Sequence, residues 1–164
     1  MQLVTPLLAD GLLLPIGLVA MYALLWRVPQ TQRYSVYTRV MMAGVTSYVL
    51  AKMAGAIWQP ETHRPFEQLG VSAGALSLNN PGFPSDHALF ATFLTITVWY
   101  VTRSVRLTTA MAVMTVLMCI GRVLALVHTP LDVTGGMVIG SLGAIWYIHG
   151  KSFLKNPLAE KAKR

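Results

Sequence analysis

The chain holds 164 residues, 54% of them apolar and only 12% charged, with a mean hydropathy of +0.55. A soluble domain carries about 25% charged residues, so too few charges remain to cover a water-facing surface. The net charge of +7 does not make this a nucleic-acid protein, because cations that grip phosphate backbones sit on a polar surface, and the apolar content with 13 glycines excludes disorder and coiled coil.

What remains is an integral membrane protein of one domain, residues 1–164. Its single cysteine, Cys119, forms no internal disulfide. The first apolar stretch, Gly11–Trp26, follows Asp10 rather than a basic region and lacks a small-residue cleavage site. It is therefore expected to be a retained helix and not a signal peptide. Val40–Trp58 follows, broken only by Lys52, then Ala88–Thr102. The last two are Leu107–Val127, broken only by Arg122, and Val133–His149. Several are shorter than the roughly 20 residues that cross a hydrocarbon core, so their flanks must add turns or the bilayer must thin. The pattern predicts an all-α polytopic bundle of about five transmembrane helices.

The basic residues predict its orientation. Arg27, Arg33 and Arg39, then Arg103 and Arg106, then Lys151, Lys155, Lys161, Lys163 and Arg164 alternate onto one side and make up ten of the 13 lysines and arginines. By the positive-inside rule the N-terminus is expected outside and the C-terminus, with a basic tail at 151–164, in the cytoplasm. The outer connections are then 59–87 and the short turn His128–Asp132. The first contains Pro60, Pro65, Pro81 and Pro84, and a structureless connection of about 28 residues is long enough to suggest function. It is predicted to fold over the helix ends as an active-site loop.

Lys52 and Arg122 stand inside apolar helices, where a cation costs roughly 2.5–3.5 kcal/mol at mid-membrane. Taken singly, each reads as a side chain that snorkels to the headgroups. The same face, however, also receives Arg64, His87, His128 and Asp132. Asp132 is a candidate N-cap for the fifth span, and His128 a candidate interfacial side chain. Together they read as a pair in which the carboxylate accepts one imidazole N–H and leaves the other nitrogen free to attack. Ser85 is a candidate N-cap for the third span, with Asp86 in its first turn suiting the helix dipole. A helix start of this kind is also an anion site.

A metal held by His87, His128, Asp86 and Asp132 is the rival chemistry, disfavoured by the repulsion of Lys52 and three arginines. Fixed cations beside two histidines match phosphate better. Gly136 and Gly140 form a small-residue pair expected to serve close helix packing.

At these residues the sequence resembles the type 2 phosphatidic acid phosphatase superfamily, membrane lipid phosphatases related in their site to vanadium-dependent haloperoxidases. The family pattern is a lysine separated by six residues from Arg-Pro, then Pro-Ser-Gly-His, then Ser-Arg followed by histidine after five intervening residues and aspartate after three more. This chain has Lys52 and Arg64-Pro65, then Pro84-Ser85-Asp86-His87, then Gly121-Arg122 with His128 and Asp132. It departs in the eleven residues between Lys52 and Arg64, where Gln59 and His63 are possible substitutes for Lys52, in Asp86 for glycine, and in Gly121 for serine. The family core commonly has six helices. The Asp86 variant resembles the bacterial undecaprenyl diphosphate phosphatase branch.

The resemblance implies metal-independent, cofactor-free hydrolysis. His128 would attack phosphorus and form a phosphohistidine while Asp132 holds its tautomer, and His87 would protonate the leaving oxygen and later activate water. Lys52, Arg64, Arg122 and Ser85 would hold the phosphate oxygens. The expected substrate is a membrane lipid phosphate or diphosphate, foremost undecaprenyl diphosphate, at the outer face of a bacterial cytoplasmic membrane. Phosphatidylglycerophosphate, phosphatidate and phosphoryl transfer to a second lipid are alternatives within the class. Outside it stands a scaffold or transport subunit, which would spread polar residues across the full membrane depth rather than gather them at one end.

Overall fold

The computed structural model describes residues 4–61, 63–77 and 82–148. Among these, helix α1 runs over Val4–Trp26, with one π-helical turn at Leu7–Gly11. A 3-10 turn, Gln30–Gln32, leads into α2, Arg33–Ile57. The short α3 is Pro65–Gln68, followed by α4, Asp86–Thr102, and α5, Val105–Leu124. The chain then forms α6, Pro130–Leu142, and α7, Ile145–Ile148, parted by a turn at Gly143. The protein is a helical membrane bundle. Four of its spans, Val4–Trp26, Gln30–Ile57, Val105–Leu124 and Pro130–Ile148, are long and apolar enough to cross a membrane. The basic tail at 151–164 lies outside the described residues.

The third predicted span, α4, is the exception. Its 17 residues reach about 25 Å, and it is the axis of the bundle, packed against α1, α2, α5 and α6. Ala88, Ala91, Phe93, Leu94, Val98 and Val101 on it are all buried. Its polar side chains are satisfied inside the protein. Thr95 Oγ1 donates to the Ala91 carbonyl at 2.8 Å and meets Thr115 Oγ1 at 3.1 Å, while Thr97 Oγ1 meets the Tyr147 hydroxyl at 2.9 Å. Hydroxyls that bond back to the preceding turn are satisfied without water in an apolar surround. The outer helices turn the opposite face to the bilayer, with Leu14, Leu18 and Met21 on α1 and Met41, Val45 and Tyr48 on α2 exposed.

The closest approach is between α4 and α6. A Cβ at Gly136 would lie 2.5 Å from the Ser85 carbonyl oxygen, and one at Gly140 2.5 Å from that of Leu89. The small-residue pair thus packs within the chain, as its sequence predicts. Valine at Gly136 must push α4 and α6 apart, an overpacking of about 1–3 kcal/mol. It is expected to lower the thermal midpoint in detergent by several degrees; an unchanged midpoint would show that the two backbones have slack.

Helix starts fall earlier than the hydropathy pattern predicts. The second helix begins at Arg33 rather than Val40 because its first two turns carry polar residues, and the last begins at Pro130, a residue suited to the first helical position. The fourth ends at Leu124 rather than Val127.

Candidate active site

The site begins where α4 begins. Ser85 takes the N-cap position its sequence predicts, yet its hydroxyl caps nothing. The Oγ is fully buried and has no hydrogen-bond partner. The Ser85 N–H instead donates to the Asp132 carbonyl at 3.0 Å, tying the starts of α4 and α6 together. Asp86, in the first turn, accepts from Lys52 Nζ at 3.0 and 3.2 Å. Both side chains are about half exposed, 48% and 47%, so the pair is a rim contact of modest strength. Lys52 therefore reaches the cluster, but paired with the carboxylate that replaces the family glycine.

The second half comes from the α5–α6 connection. Arg122, on the last turn of α5, is 2% exposed. After Leu124 the backbone turns sharply, with Leu126 at φ +58°. This leaves three carbonyls for partners far away in sequence: Ala125 accepts from Gly74 N–H and Leu126 from Phe66 N–H, each at 3.0 Å, and Val127 accepts from Arg64 Nη1 at 2.6 Å. The long connection is thus docked on this turn. Arg64 is fixed at the start of α3, where its own N–H donates to Glu67 Oε2 at 2.8 Å. Burial lowers its pKa, with Asp132, Glu67 and Asp86 opposing, and an arginine stays cationic through such shifts.

His128 follows, 4% exposed. Its Nδ1 lies 3.4 Å from Asp132 Oδ2 and has no aligned hydrogen-bond partner, so Nε2 is the nitrogen not turned to the carboxylate. Asp132 is not the N-cap. Thr129 is, and Asp132 stands at the third helical position in a capping box: its N–H donates to Thr129 Oγ1 at 3.2 Å, and its Oδ2 accepts the Thr129 N–H at 2.8 Å. One carboxylate thereby starts a helix and faces an imidazole. Burial pushes the His128 pKa below its ordinary value; Asp132 opposes this shift, and Arg122 and Arg64 reinforce it.

His87, on the first turn of α4, is within electrostatic reach of Arg122, Asp10, His128 and Asp86. The fold brings together Ser85, His87, Arg64, Arg122, His128 and Asp132, with Lys52 at the rim. It does not bring in the alternatives to Lys52. Gln59 is engaged with the Gly55 and Phe83 carbonyls, and His63 faces solvent beside Glu67.

Sequence reasoning missed Asp10. Its Oδ1 accepts from Arg122 Nη1 at 2.5 Å and stands 3.6 Å from His87 Nε2. The available signal was a carboxylate inside an apolar span, a residue type that rarely stands there without a partner.

Comparison with protein families matches the PAP2 superfamily over residues 33–155, a stretch that contains every one of the predicted site residues. The chain belongs to the PAP2 superfamily. Membership implies phosphatase chemistry on phosphate esters. The match starts after α1, so Asp10 lies outside the region that identifies the PAP2 fold. No curated protein and no solved structure matches the chain.

Proposed function

We propose that the protein is a metal-independent lipid phosphatase that works through a phosphohistidine, with undecaprenyl diphosphate the favoured substrate. One observation carries this reading. Ser85 Oγ and Arg122 Nε, two of the seven buried side-chain atoms without hydrogen-bond partners among the described residues, lie in the cluster where α4 and α6 begin, beside His128, whose Nδ1 faces Asp132 at 3.4 Å. Buried polar groups are normally satisfied, and leaving one unpaired costs about 1–3 kcal/mol. Concentrated beside two helix starts and three cations, they suit a phosphate, which supplies acceptor oxygens and negative charge.

The chemistry follows from the side chains. His128 Nε2 attacks phosphorus, and the bond from phosphorus to the leaving oxygen breaks. Protonated His87 gives that oxygen its proton. Asp132 steadies the imidazole through Nδ1 as positive charge develops on it. Arg122, Arg64 and Ser85 Oγ hold the equatorial oxygens, with Lys52 joining from the rim once Asp86 releases it. Water then attacks the phosphohistidine, His87 takes its proton, the P–N bond breaks and phosphate departs.

The exposed apolar faces of α1 and α2 support a substrate whose hydrocarbon lies in the bilayer. The predicted charge asymmetry supports a site on the outer face of a cytoplasmic membrane, beside the loop 59–87, where a diphosphate carrier lipid would be recycled. The test is phosphate release by purified protein in detergent with EDTA, comparing undecaprenyl diphosphate, phosphatidylglycerophosphate and phosphatidate. Fastest release from the first is expected. Preference for another lipid would correct the substrate, and a strict divalent-metal requirement would overturn the mechanism.

A further inference from the structure

Asp10 is the one carboxylate on α1, and three contacts define its place. Oδ1 accepts from Arg122 Nη1 at 2.5 Å, Oδ2 accepts the Leu76 N–H at 2.8 Å, and Oδ1 lies 3.6 Å from His87 Nε2. The Leu76 carbonyl accepts from the same Arg122 Nη1 at 3.0 Å. One end of the guanidinium is thus clamped between a side chain of α1 and the backbone of the long loop, while Nε is buried and unpartnered. Arginine carries about 2 kcal/mol of rotamer entropy, and groups that stabilise a transition state act best when already held in place.

The approach of α1 is itself built in. Asp10 sits in the π-helical turn Leu7–Gly11, a rare geometry that frequently marks functional sites. That turn lies directly on Gly121, next to Arg122. A Cβ at Gly121 would fall 2.7 Å from the Ala9 nitrogen and 2.8 Å from the Leu8 carbonyl carbon. A side chain there would lift the π turn and carry Asp10 away from Arg122. The glycine that departs from the family pattern and the carboxylate outside the family match are therefore two halves of one device.

We propose that Asp10 is a positioning residue of the phosphate site: it fixes Arg122 by Nη1, so that the remaining guanidinium N–H groups meet the phosphate in one orientation. This rests on the phosphatase reading above. A plain structural salt bridge would not require the carboxylate to share its oxygen between Arg122 and the edge of His87. Nor would it need the loop backbone to clamp the same guanidinium nitrogen.

The experiment compares wild type, Asp10→Asn, Gly121→Ala and the double variant in detergent. It measures kcat and KM for phosphate release and, separately, orthovanadate binding by calorimetry. Vanadate resembles the five-coordinate transition state and needs no choice of lipid. Asp10→Asn is expected to lose about 10- to 100-fold in kcat and to bind vanadate about tenfold more weakly, with KM changed less than about threefold. Gly121→Ala is expected to do the same, and the double variant to lose no more than either single one, since both changes remove the same clamp. If Gly121→Ala does not fold, the split between kcat and KM in Asp10→Asn decides alone. Unchanged kcat in Asp10→Asn overturns the inference. So does a fall in KM with tighter vanadate binding, which would make Asp10 a competing anion. Wild-type protein that neither releases phosphate nor binds vanadate overturns the phosphatase reading, and this inference with it.

Discussion

Phosphate release is expected to fall by at least about 1,000-fold when His128 becomes alanine, with the protein still folded. The proposed nucleophile has no histidine to replace it: His87 stands at the start of α4 with its Nε2 edge toward Asp10. The residual rate is whatever binding and the cationic cluster supply without covalent catalysis, a pattern known from other enzymes in which the nucleophile is removed. Folding survives because Asp132 keeps its reciprocal bonds with Thr129 and the start of α6 stays capped. The measurement is turnover together with a thermal melt. A variant that is both folded and active would remove His128 from the chemistry.

The same residue sets a pH dependence. Burial lowers the His128 pKa from 6.5, and the proposed attack requires the neutral imidazole. The acid limb of kcat/KM assigned to this group is therefore expected below pH 6.5. The unfolded chain binds the proton more readily than the folded one, so stability also declines as pH falls from the unfolded value toward the folded one. An acid limb above 6.5 would contradict the buried, neutral state.

Arg122→Ala is expected to give the second large effect and to separate two roles. Losing one fixed donor to a developing phosphate charge costs about 100- to 1,000-fold in kcat. The substitution also strands the Asp10 carboxylate, whose side chain is 18% exposed and whose partner was 3% exposed. The carboxylate keeps the Leu76 N–H and some exposure, so the loss falls below the about 3–5 kcal/mol of a fully buried broken pair. The thermal midpoint should thus drop along with activity. Adding Asp10→Asn should recover much of the midpoint and none of the turnover. If the double variant is no more stable than Arg122→Ala, the carboxylate was not the stranded charge.

The legible parts of this protein were those written locally. Hydropathy marked five helices because each apolar run is broken by at most one charge, and His128 with Asp132 stood out because both fall in one short turn beside Arg122. What stayed hidden depends on contacts between distant residues. Helix α5 stops at Leu124, and Phe66, Gly74 and Arg64 take the carbonyls of the following turn; no local signal announces such partners. Asp10 lies 112 positions from Arg122, beyond any spacing rule. Lys52 looked like a free phosphate ligand because its partner, Asp86, is 34 positions away. Gly121, which reads as a lost hydroxyl, turns out to be room for a backbone.

The pairing of α4 with α6 carries one more consequence. Gly136 faces Ser85 and Ala88, and Gly140 faces Leu89, so the two helices run in the same direction, with α5 returning the chain between them. Parallel neighbours set their dipoles side by side, an arrangement that repels itself and gathers two positive ends at one spot. Part of the site's potential therefore belongs to the main chain and outlasts the loss of any single side chain. An anion seated there eases the strain between the helices that form its seat, so binding and the cohesion of the bundle reinforce each other.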